Sequence, residues 1–166
     1  MASTGPEPGN PDARARALAY RLLARCARSV REIEERLTRK EFDPPLIART
    51  IAHLQAAGYL DDARFAREWV AARATRYGPR RLETELRKKG IELSLIQEAL
   101  GIITREAEEV QALALARKKW NALSRTQRPL PARRQALYAY LARKGYDTDI
   151  CSRVVRGVCG EERDDR

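Results

Sequence analysis

The sequence predicts an all-α protein made of tandem three-helix repeats, helix-turn-helix-like modules in an elongated array. One pattern, two apolar residues four positions apart followed by basic residues, occurs three times, beginning at Ile33, Leu82 and Leu137. Apolar residues elsewhere recur three and four positions apart, which is the period of a helix face. No segment of useful length alternates apolar and polar residues as a half-buried strand does. Repeats of this size are typical of modular arrays that bind an extended partner.

Each copy of the pattern ends in a turn residue, an apolar residue and an acid. The turn residue is Gly90 in the second copy and Gly145 in the third, but Glu41 in the first. Equivalent positions are 49 residues apart between the first two copies (33 and 82) and 55 between the last two (82 and 137). Glycine adopts left-handed backbone conformations that other residues avoid, so the turn of the first copy is expected to differ.

Helix start and stop signals define the elements of the first repeat. Residues 1–13 contain proline and glycine with little to bury, and they are interpreted as a disordered arm. The next helix carries an apolar stripe of Leu18, Leu22, Leu23 and Cys26. Ser29 and Glu32 have capping-box spacing at the start of another helix. The chain is expected to turn at Pro44 and Pro45 before a third helix, which is led by Leu46 and Ile47 and ends at Gly58.

The remaining elements follow in the same way. Asp61 is a predicted N-cap of a longer helix, and a short helix runs from Pro79 to Gly90. A helix from about residue 94 to residue 100 precedes a longer one that ends near Trp120, with an acidic start and a basic end that complement the helix dipole. The proline-containing residues after it are expected to form a flexible linker. The predicted organisation is an arm over 1–13, repeats over 14–72 and 73–120, a linker over 121–132, a third repeat over 133–160 and a polar tail over 161–166.

Composition restricts the class of protein. The 33 basic and 23 acidic side chains give a formal net charge of +10, and arginine outnumbers lysine. Such an excess indicates an anionic partner, with nucleic acid favoured over membrane. The N-terminus has no apolar signal region and no stretch reaches the length of a membrane span. We therefore expect a soluble, cytoplasmic protein, a monomer, with no membrane association.

The three cysteines are an odd number without a CxxC pair. Cys26 and Cys151 fall on predicted apolar helix faces, where a free cysteine behaves as a small hydrophobe. This usage is typical of a reduced cytosolic protein without structural disulfides.

The helix that contains Leu82 and Leu86 is the strongest candidate for a binding surface. At 100° per residue these leucines define its buried side. The opposite side carries Arg80, Arg81, Thr84, Arg87 and Lys88. A wholly basic outer face favours contact with phosphates or an acidic partner, although solvated faces are common. The third repeat adds Arg143 and Lys144 and the first adds Arg39 and Lys40, side chains that suit backbone contact rather than base readout.

Other candidate sites are weaker. The adjacent carboxylates Asp61 and Asp62 are interpreted as helix caps rather than metal ligands. His53, flanked by apolar residues, is interpreted as a satisfied histidine rather than a catalytic base. Trp69 and Trp120 are predicted to anchor cores rather than to stack on bases.

Tyr59 and Tyr77, at the edges of turns, fit either a core or a stacking role. The sequence contains no P-loop, nucleophile elbow or metal-ligand spacing, so we expect no enzymatic activity, no metal and no cofactor.

Two segments of the middle repeat resemble a known family. Residues 58–66 read Gly-Tyr-Leu-Asp-Asp-Ala-Arg-Phe-Ala, and residues 78–91 begin Gly-Pro-Arg-Arg-Leu and end Lys-Gly-Ile. They closely resemble the RecX regulatory proteins of bacteria, and the similarity extends over residues 14–159. The third repeat, at residues 141–147, matches more loosely.

The resemblance implies a modulator of the RecA recombinase. Proteins of this kind are tandem three-helix repeats that lie along the groove of the RecA–single-stranded-DNA filament, inhibit ATP hydrolysis and strand exchange, and favour disassembly. From helical-face geometry, Arg80, Arg81, Arg87 and Lys88 are assigned to the filament or its DNA, with Arg143 and Lys144 as a second contact. The expected partners are this filament and single-stranded DNA, with duplex DNA bound more weakly.

Two alternatives come from other classes. A free-standing, sequence-independent DNA-binding protein would act by charge alone; its affinity for naked DNA would fall steeply with salt, and a recombinase would make no difference to it. A helical adapter between proteins would bind no DNA even at low salt.

Overall fold

The structure is a computed structural model that describes residues 10–164, with side chains described as far as Gly160. Most of the predicted N-terminal arm, residues 1–9, and residues 165–166 of the predicted tail lie outside the described residues. The described residues form α-helices and no strand, which confirms the all-α class. The helices are α1 (Pro11–Leu23), α2 (Val30–Thr38), α3 (Pro44–Ala56), α4 (Asp62–Arg73), α5 (Pro79–Lys88), α6 (Leu93–Leu100), α7 (Arg105–Ser124), α8 (Leu130–Lys144) and α9 (Thr148–Asp164).

The first three helices enclose their own core. Its largest fully buried side chains are Ile33, Leu37 and Leu54, and α1 contributes Ala15, Ala19 and Leu22. The predicted capping box is confirmed: Ser29 accepts from the backbone N–H of Glu32, and the Glu32 carboxylate accepts from the backbone N–H of Ser29. Tight small-residue packing on α1 and a capped α2 therefore define the first module.

The chain around Cys26 differs from the prediction. α1 begins at Pro11, inside the predicted arm, and ends at Leu23. Cys26 is consequently in the following loop and exposed, not on an apolar helix face, whereas Cys151 is buried as expected. Cys26, Cys151 and Cys159 are free thiols.

The last three helices enclose a second core. Trp120 and Leu123 of α7 pack with Leu137 and Leu141 of α8 and with buried residues of α9. α7 thus belongs with α8 and α9, although the sequence prediction placed it in the second repeat. The helix also extends to Ser124, and α8 begins at Leu130, so the connection between them is shorter than the predicted 121–132 linker.

The helices divide into two compact units. Among the described residues, one unit comprises residues 10–68 together with Leu86–Ile96, and the other comprises Trp69–Glu85 together with residues 97–164. The middle module, α4 to α6, contributes to both units. None of the helices in the described part of the chain is both long and apolar enough to cross a membrane.

The turn after the middle helix of each module has the same backbone conformation. The φ angle is 59° at Glu41, 78° at Gly90 and 91° at Gly145, all in the left-handed region. The expectation that Glu41 gives a different turn is therefore wrong. A reversal after the helix requires this conformation whichever residue occupies it.

Within the first unit, the turn at Gly90 packs against the start of α2. The Ser29 hydroxyl donates to the Lys89 carbonyl (2.6 Å), and Lys89 Nζ lies 2.8 Å from Glu32 Oε1. A Cβ added at Gly90 would lie 2.1 Å from Cδ of Arg31. Glycine is needed here for this close approach as well as for its φ.

Within the second unit, the turn at Gly145 packs against the start of α5 in the same way. The Gly78 N–H donates to the Lys144 carbonyl (2.8 Å), and the Arg80 N–H donates to the Gly145 carbonyl (3.2 Å). A Cβ added at Gly145 would lie 2.4 Å from Cβ of Arg81. We call these two contacts the Gly90 junction and the Gly145 junction.

We expect Gly145→Ala to lower the free energy of unfolding by about 2 kcal/mol or more, because alanine combines a left-handed φ with a clash against Arg81. Gly157→Ala, in α9 with open space around the new Cβ, should instead stabilise by about 0.5–1 kcal/mol. Urea unfolding of both variants measures these two changes in the free energy of unfolding. Wild-type stability of Gly145→Ala would contradict the junction.

We expect Glu41→Gly to stabilise the chain slightly, by about 0.5–1 kcal/mol, because the side chain is exposed and its backbone is in a conformation that glycine adopts more easily. The shift of the urea midpoint at unchanged slope is the measurement. A loss of stability would show that the Glu41 side chain makes a contact worth more than the strain.

Candidate functional site

The helix α5 has the inner and outer faces that its sequence predicts. Leu82 and Leu86 are fully buried. Arg80, Arg87 and Lys88 are exposed, whereas Arg81 is half-buried because it packs at the Gly145 junction. The basic outer face is therefore present, but its first residues also make contacts within the protein.

Arg80 is paired with the acidic residue of the third repeat. Its Nη2 lies 2.8 Å from Asp147 Oδ2, and both side chains are about half exposed. Hydrogen bonds from Thr148 and the charge of Arg80 outweigh slight burial and lower the pKa of Asp147. An ion pair this exposed contributes at most about 1 kcal/mol to stability. An anion that binds the Arg80 guanidinium more tightly can therefore replace Asp147.

Arg81 belongs to a cluster of cations around one aromatic ring. Its guanidinium carbon lies 4.0 Å from the centroid of Tyr77, that of Arg73 lies 5.0 Å away, and Lys144 Nζ lies 4.7 Å away. Arg73 also lies 4.7 Å from the ring centroid of Trp69. We call Trp69, Arg73, Tyr77, Arg81, Lys144 and Glu85 the Tyr77 cluster.

The Glu85 carboxylate holds this cluster together. It accepts hydrogen bonds from Arg73 Nε (2.9 Å), Arg81 Nε (3.1 Å) and Trp69 Nε1 (3.1 Å). Burial alone would raise the pKa of Glu85, but the hydrogen bonds from Arg73, Arg81 and Trp69 outweigh it and lower the pKa. Glu85 is therefore ionised at neutral pH and fixes the two guanidinium groups.

The Tyr77 cluster keeps an excess of positive charge. Three cations, Arg73, Arg81 and Lys144, face one carboxylate, which leaves two positive charges beside half-buried aromatic rings. The ring centroid of Tyr140 lies 5.6 Å from Lys144 Nζ and also 5.6 Å from Nζ of Lys119, a residue of α7. Guanidinium groups held in a fixed orientation suit phosphate or carboxylate oxygens.

The other predicted residues are placed as follows. Arg143 is exposed, and its carbonyl accepts from Arg81 Nη1 at 3.4 Å. Arg39, Lys40, Arg87 and Lys88 belong to the other unit and are exposed. Arg39 Nε donates to the Glu35 carbonyl, and Lys40 lines a shallow groove with Arg14, Arg21 and Phe42.

Sequence reasoning missed two members of this surface, Arg73 and Glu85, and left Tyr77 open between a core and a stacking role. A spacing of four residues from Trp69 through Arg73, Tyr77 and Arg81 to Glu85 was the available signal. Trp69 is half-buried and hydrogen-bonded to Glu85 rather than a core residue. Trp120 is in the core as predicted.

The weaker candidates have structural roles. Asp61 Oδ1 accepts from the backbone N–H of Arg64, and Asp62 Oδ1 accepts from the backbone N–H of Val30, both at 2.9 Å. His53 Nε2 lies 3.0 Å from the Tyr20 hydroxyl. No group of three or more His, Cys, Asp or Glu residues arranged to hold a metal occurs among the described residues.

We expect Glu85→Gln to lower the free energy of unfolding at pH 7 by about 1–2 kcal/mol, because the amide leaves two guanidinium groups without their charged partner. The pKa of Glu85 is lowered in the folded protein, so its contribution is complete above its ordinary pKa of 4.5 and is lost as the pH falls through the folded value. The stability difference from wild type should therefore shrink below pH 4.5.

Urea unfolding between pH 3 and pH 7 checks this difference, with Glu68→Gln, an exposed position on α4, as the control expected to stay within about 0.5 kcal/mol of wild type. A constant difference between Glu85→Gln and wild type across that range would contradict the role assigned to the carboxylate.

Comparisons with known proteins identify all three modules. Family models match residues 15–54 as "RecX, first three-helix domain", residues 61–100 as "RecX, second three-helix domain" and residues 107–155 as "RecX, third three-helix domain". These matches place α4 in the second module and the greater part of α7 in the third.

Curated relatives agree over most of the chain. "Regulatory protein RecX" of Amycolatopsis mediterranei is 36% identical over 86% of this chain and 82% of its own length. The protein of the same name from Streptomyces coelicolor is 35% identical over 99% of this chain and 87% of its own length.

Solved structures have the same fold. The crystal structure of RecX from Lactobacillus salivarius superimposes with a TM-score of 0.78 at 21% identity, covering 89% of this chain and 96% of that one. A second crystal structure, of a regulatory protein RecX, gives a TM-score of 0.77 at 22% identity, covering 93% of this chain and 80% of that one. With three matching domain models and relatives at about 35% identity, this chain belongs to the RecX family of regulatory proteins.

Proposed function

We propose that the chain regulates the RecA recombinase by binding the RecA–single-stranded-DNA filament along its groove, inhibiting ATP hydrolysis and strand exchange and promoting disassembly. The name and family of its relatives support a regulatory role. The observation that carries the proposal is the Tyr77 cluster, where three cations share one aromatic ring and a single carboxylate orients two of them. Such a surface fits phosphates or the acidic side chains of a nucleoprotein filament.

The predicted contact residues have distinct parts in this proposal. Arg81 and Lys144, with Arg80 and Arg143 beside them, form the principal contact. Arg80 exchanges its exposed partner Asp147 for a filament anion, which costs little because the pair is on the surface. Arg39, Lys40, Arg87 and Lys88 supply further contacts from the other unit.

Affinity arises from several weak contacts made by linked modules. Each exposed ion pair contributes little alone, but a second contact made by the same chain is intramolecular and raises the overall affinity strongly. A monomer in the cytoplasm, acting without a cofactor, suffices for this mechanism.

The net charge of +10 favours a second candidate, a sequence-independent DNA-binding protein that acts without a recombinase. One experiment distinguishes the two functions. The protein is titrated into a DNA-dependent ATPase assay with preformed RecA filaments, and its binding to naked DNA is followed in parallel. Inhibition at concentrations below those that bind naked DNA supports the regulator. Inhibition only when naked DNA is bound supports the second candidate.

We expect the double variant Arg81→Gln with Lys144→Gln to inhibit the filament ATPase about tenfold less potently than wild type, a loss of about 1.4 kcal/mol of binding free energy. Glutamine is preferable to glutamate, because a second carboxylate beside Glu85 would disturb the cluster itself. The measurement is the concentration that halves the ATPase rate.

The matched control is Lys118→Gln with Arg156→Gln, two exposed cations of the same unit that remove the same charge. Equal losses in the two double variants would show that charge alone acts and would overturn the assignment to the Tyr77 cluster. Thermal unfolding of both variants confirms that they are compared in the folded state.

A further inference from the structure

A cavity in the second unit lies next to the Tyr77 cluster and shares Tyr77 with it. Its volume is about 260 Å³, and its walls are mainly apolar, formed by Ala74, Pro79, Ile102, Ile103 and Ala107. Tyr77 lines the cavity and is also the ring that carries Arg81 and Lys144. A concave apolar site with a few converging polar groups is typical of a binding pocket.

One polar group of the cavity, the Tyr146 hydroxyl, makes no hydrogen bond within the described residues. Tyr146 lines the cavity and is only 3% exposed, and its hydroxyl is buried. A buried hydroxyl without a partner is destabilising by about 1–3 kcal/mol. The second and third repeats differ at this position, which is Ile91 in the second, so the fold does not require a hydroxyl here.

The second polar group is the carboxylate of Glu108, which also lines the cavity. Burial raises the pKa of Glu108, against a hydrogen bond from the backbone of Asp147 that lowers it. Tyr146 and Glu108 line the same cavity, and the charge of Glu108 adds to the burial that raises the pKa of Tyr146. The cavity is thus lined by the Glu108 carboxylate, which accepts hydrogen bonds, and by the Tyr146 hydroxyl, which can donate one.

We infer that this cavity binds one unstacked base of single-stranded nucleic acid, with guanine preferred. The Watson–Crick edge of guanine offers two donors, N1–H and the exocyclic amino group, to a carboxylate such as Glu108, and its adjacent O6 accepts from the Tyr146 hydroxyl. Apolar walls and hydrogen bonds to this edge are how proteins hold an extruded base.

The charges around the cavity favour a nucleotide over a protein side chain. Arg80 directly follows Pro79 of the cavity wall; it is paired with Asp147, and Arg105 is paired with Asp149. With Arg81 and Lys144 on the neighbouring Tyr77 ring, cations are available for the phosphates on either side of a bound base. The inference rests on the proposed function in one respect, that the chain meets single-stranded nucleic acid.

The experiment uses the full chain and follows NMR chemical shifts on adding guanosine, inosine or thymidine monophosphate. We expect guanosine monophosphate to shift the amides of Ile103, Ala107 and Tyr146 and to bind about tenfold more tightly than inosine monophosphate, which lacks the exocyclic amino group. Equal affinities for all three nucleotides, or shifts confined to exposed arginines, would overturn the inference.

Two variants isolate the polar groups. Glu108→Gln should remove the preference for guanine over inosine, since an amide offers a single acceptor oxygen. Tyr146→Phe should weaken guanosine monophosphate binding while leaving stability equal to or above wild type, because an unpaired buried hydroxyl is removed. A Tyr146→Phe variant that loses stability but keeps guanine binding would show a structural hydroxyl and contradict the proposal.

Oligonucleotides and the recombinase assay separate this inference from the function on which it rests. A thymidine 15-mer with one central guanine should bind more tightly than the all-thymidine 15-mer, and Glu108→Gln should abolish that difference. If Glu108→Gln weakens filament inhibition but leaves both oligonucleotide affinities unchanged, the cavity binds a protein side chain and the inference is wrong. Guanine binding without any effect on a recombinase would instead overturn the proposed function alone.

Discussion

The contact on which the rest depends is the packing of a left-handed turn against the start of a helix in the preceding module. At the Gly145 junction the carbonyl groups of Lys144 and Gly145 accept from the backbone N–H groups of Gly78 and Arg80. At the Gly90 junction the Ser29 hydroxyl reaches the carbonyl of Lys89, the equivalent of Lys144. Both junctions satisfy carbonyl groups that a helix end would otherwise leave unpaired, and both require the absence of a Cβ at the turn.

The candidate surface follows from the Gly145 junction. Because the turn carries Lys144 onto the start of α5, its ammonium group reaches the Tyr77 ring from one side of the junction while Arg81 reaches it from the other. Glu85, one turn further along α5, orients Arg81 and Arg73 together. The same residues that join two modules therefore concentrate positive charge beside aromatic rings, so the repeat provides a binding surface as a consequence of its packing.

Much of the fold was predictable from the sequence because it depends on local signals. The Leu82 and Leu86 spacing, the Ser29 capping box and the helix start at Pro79 each act within a few residues. The turn at Glu41 was wrongly expected to differ because glycine was assigned to the turn conformation alone. Gly90 and Gly145 also avoid a clash between an added Cβ and a neighbouring arginine, which the exposed Glu41 does not face. The module boundary at α7 was misplaced because the prolines after it resemble a linker, while the packing of Trp120 decides its module. The Tyr77 cluster also includes Lys144, which is distant in the chain, so no local pattern could predict that Lys144 lies beside Tyr77.

Hydrogen exchange of the free chain and of the chain bound to RecA filaments on single-stranded DNA tests most directly the claim that the Gly145 junction carries the binding surface. The claim predicts slow exchange at the Gly78 and Arg80 amides in the free chain, because they are bonded to the Lys144 and Gly145 carbonyls. It further predicts that the filament slows exchange over Tyr77–Glu85 and around Lys144. Fast exchange of those two amides in the free chain, or slowing by the filament that leaves both segments unchanged, would contradict it.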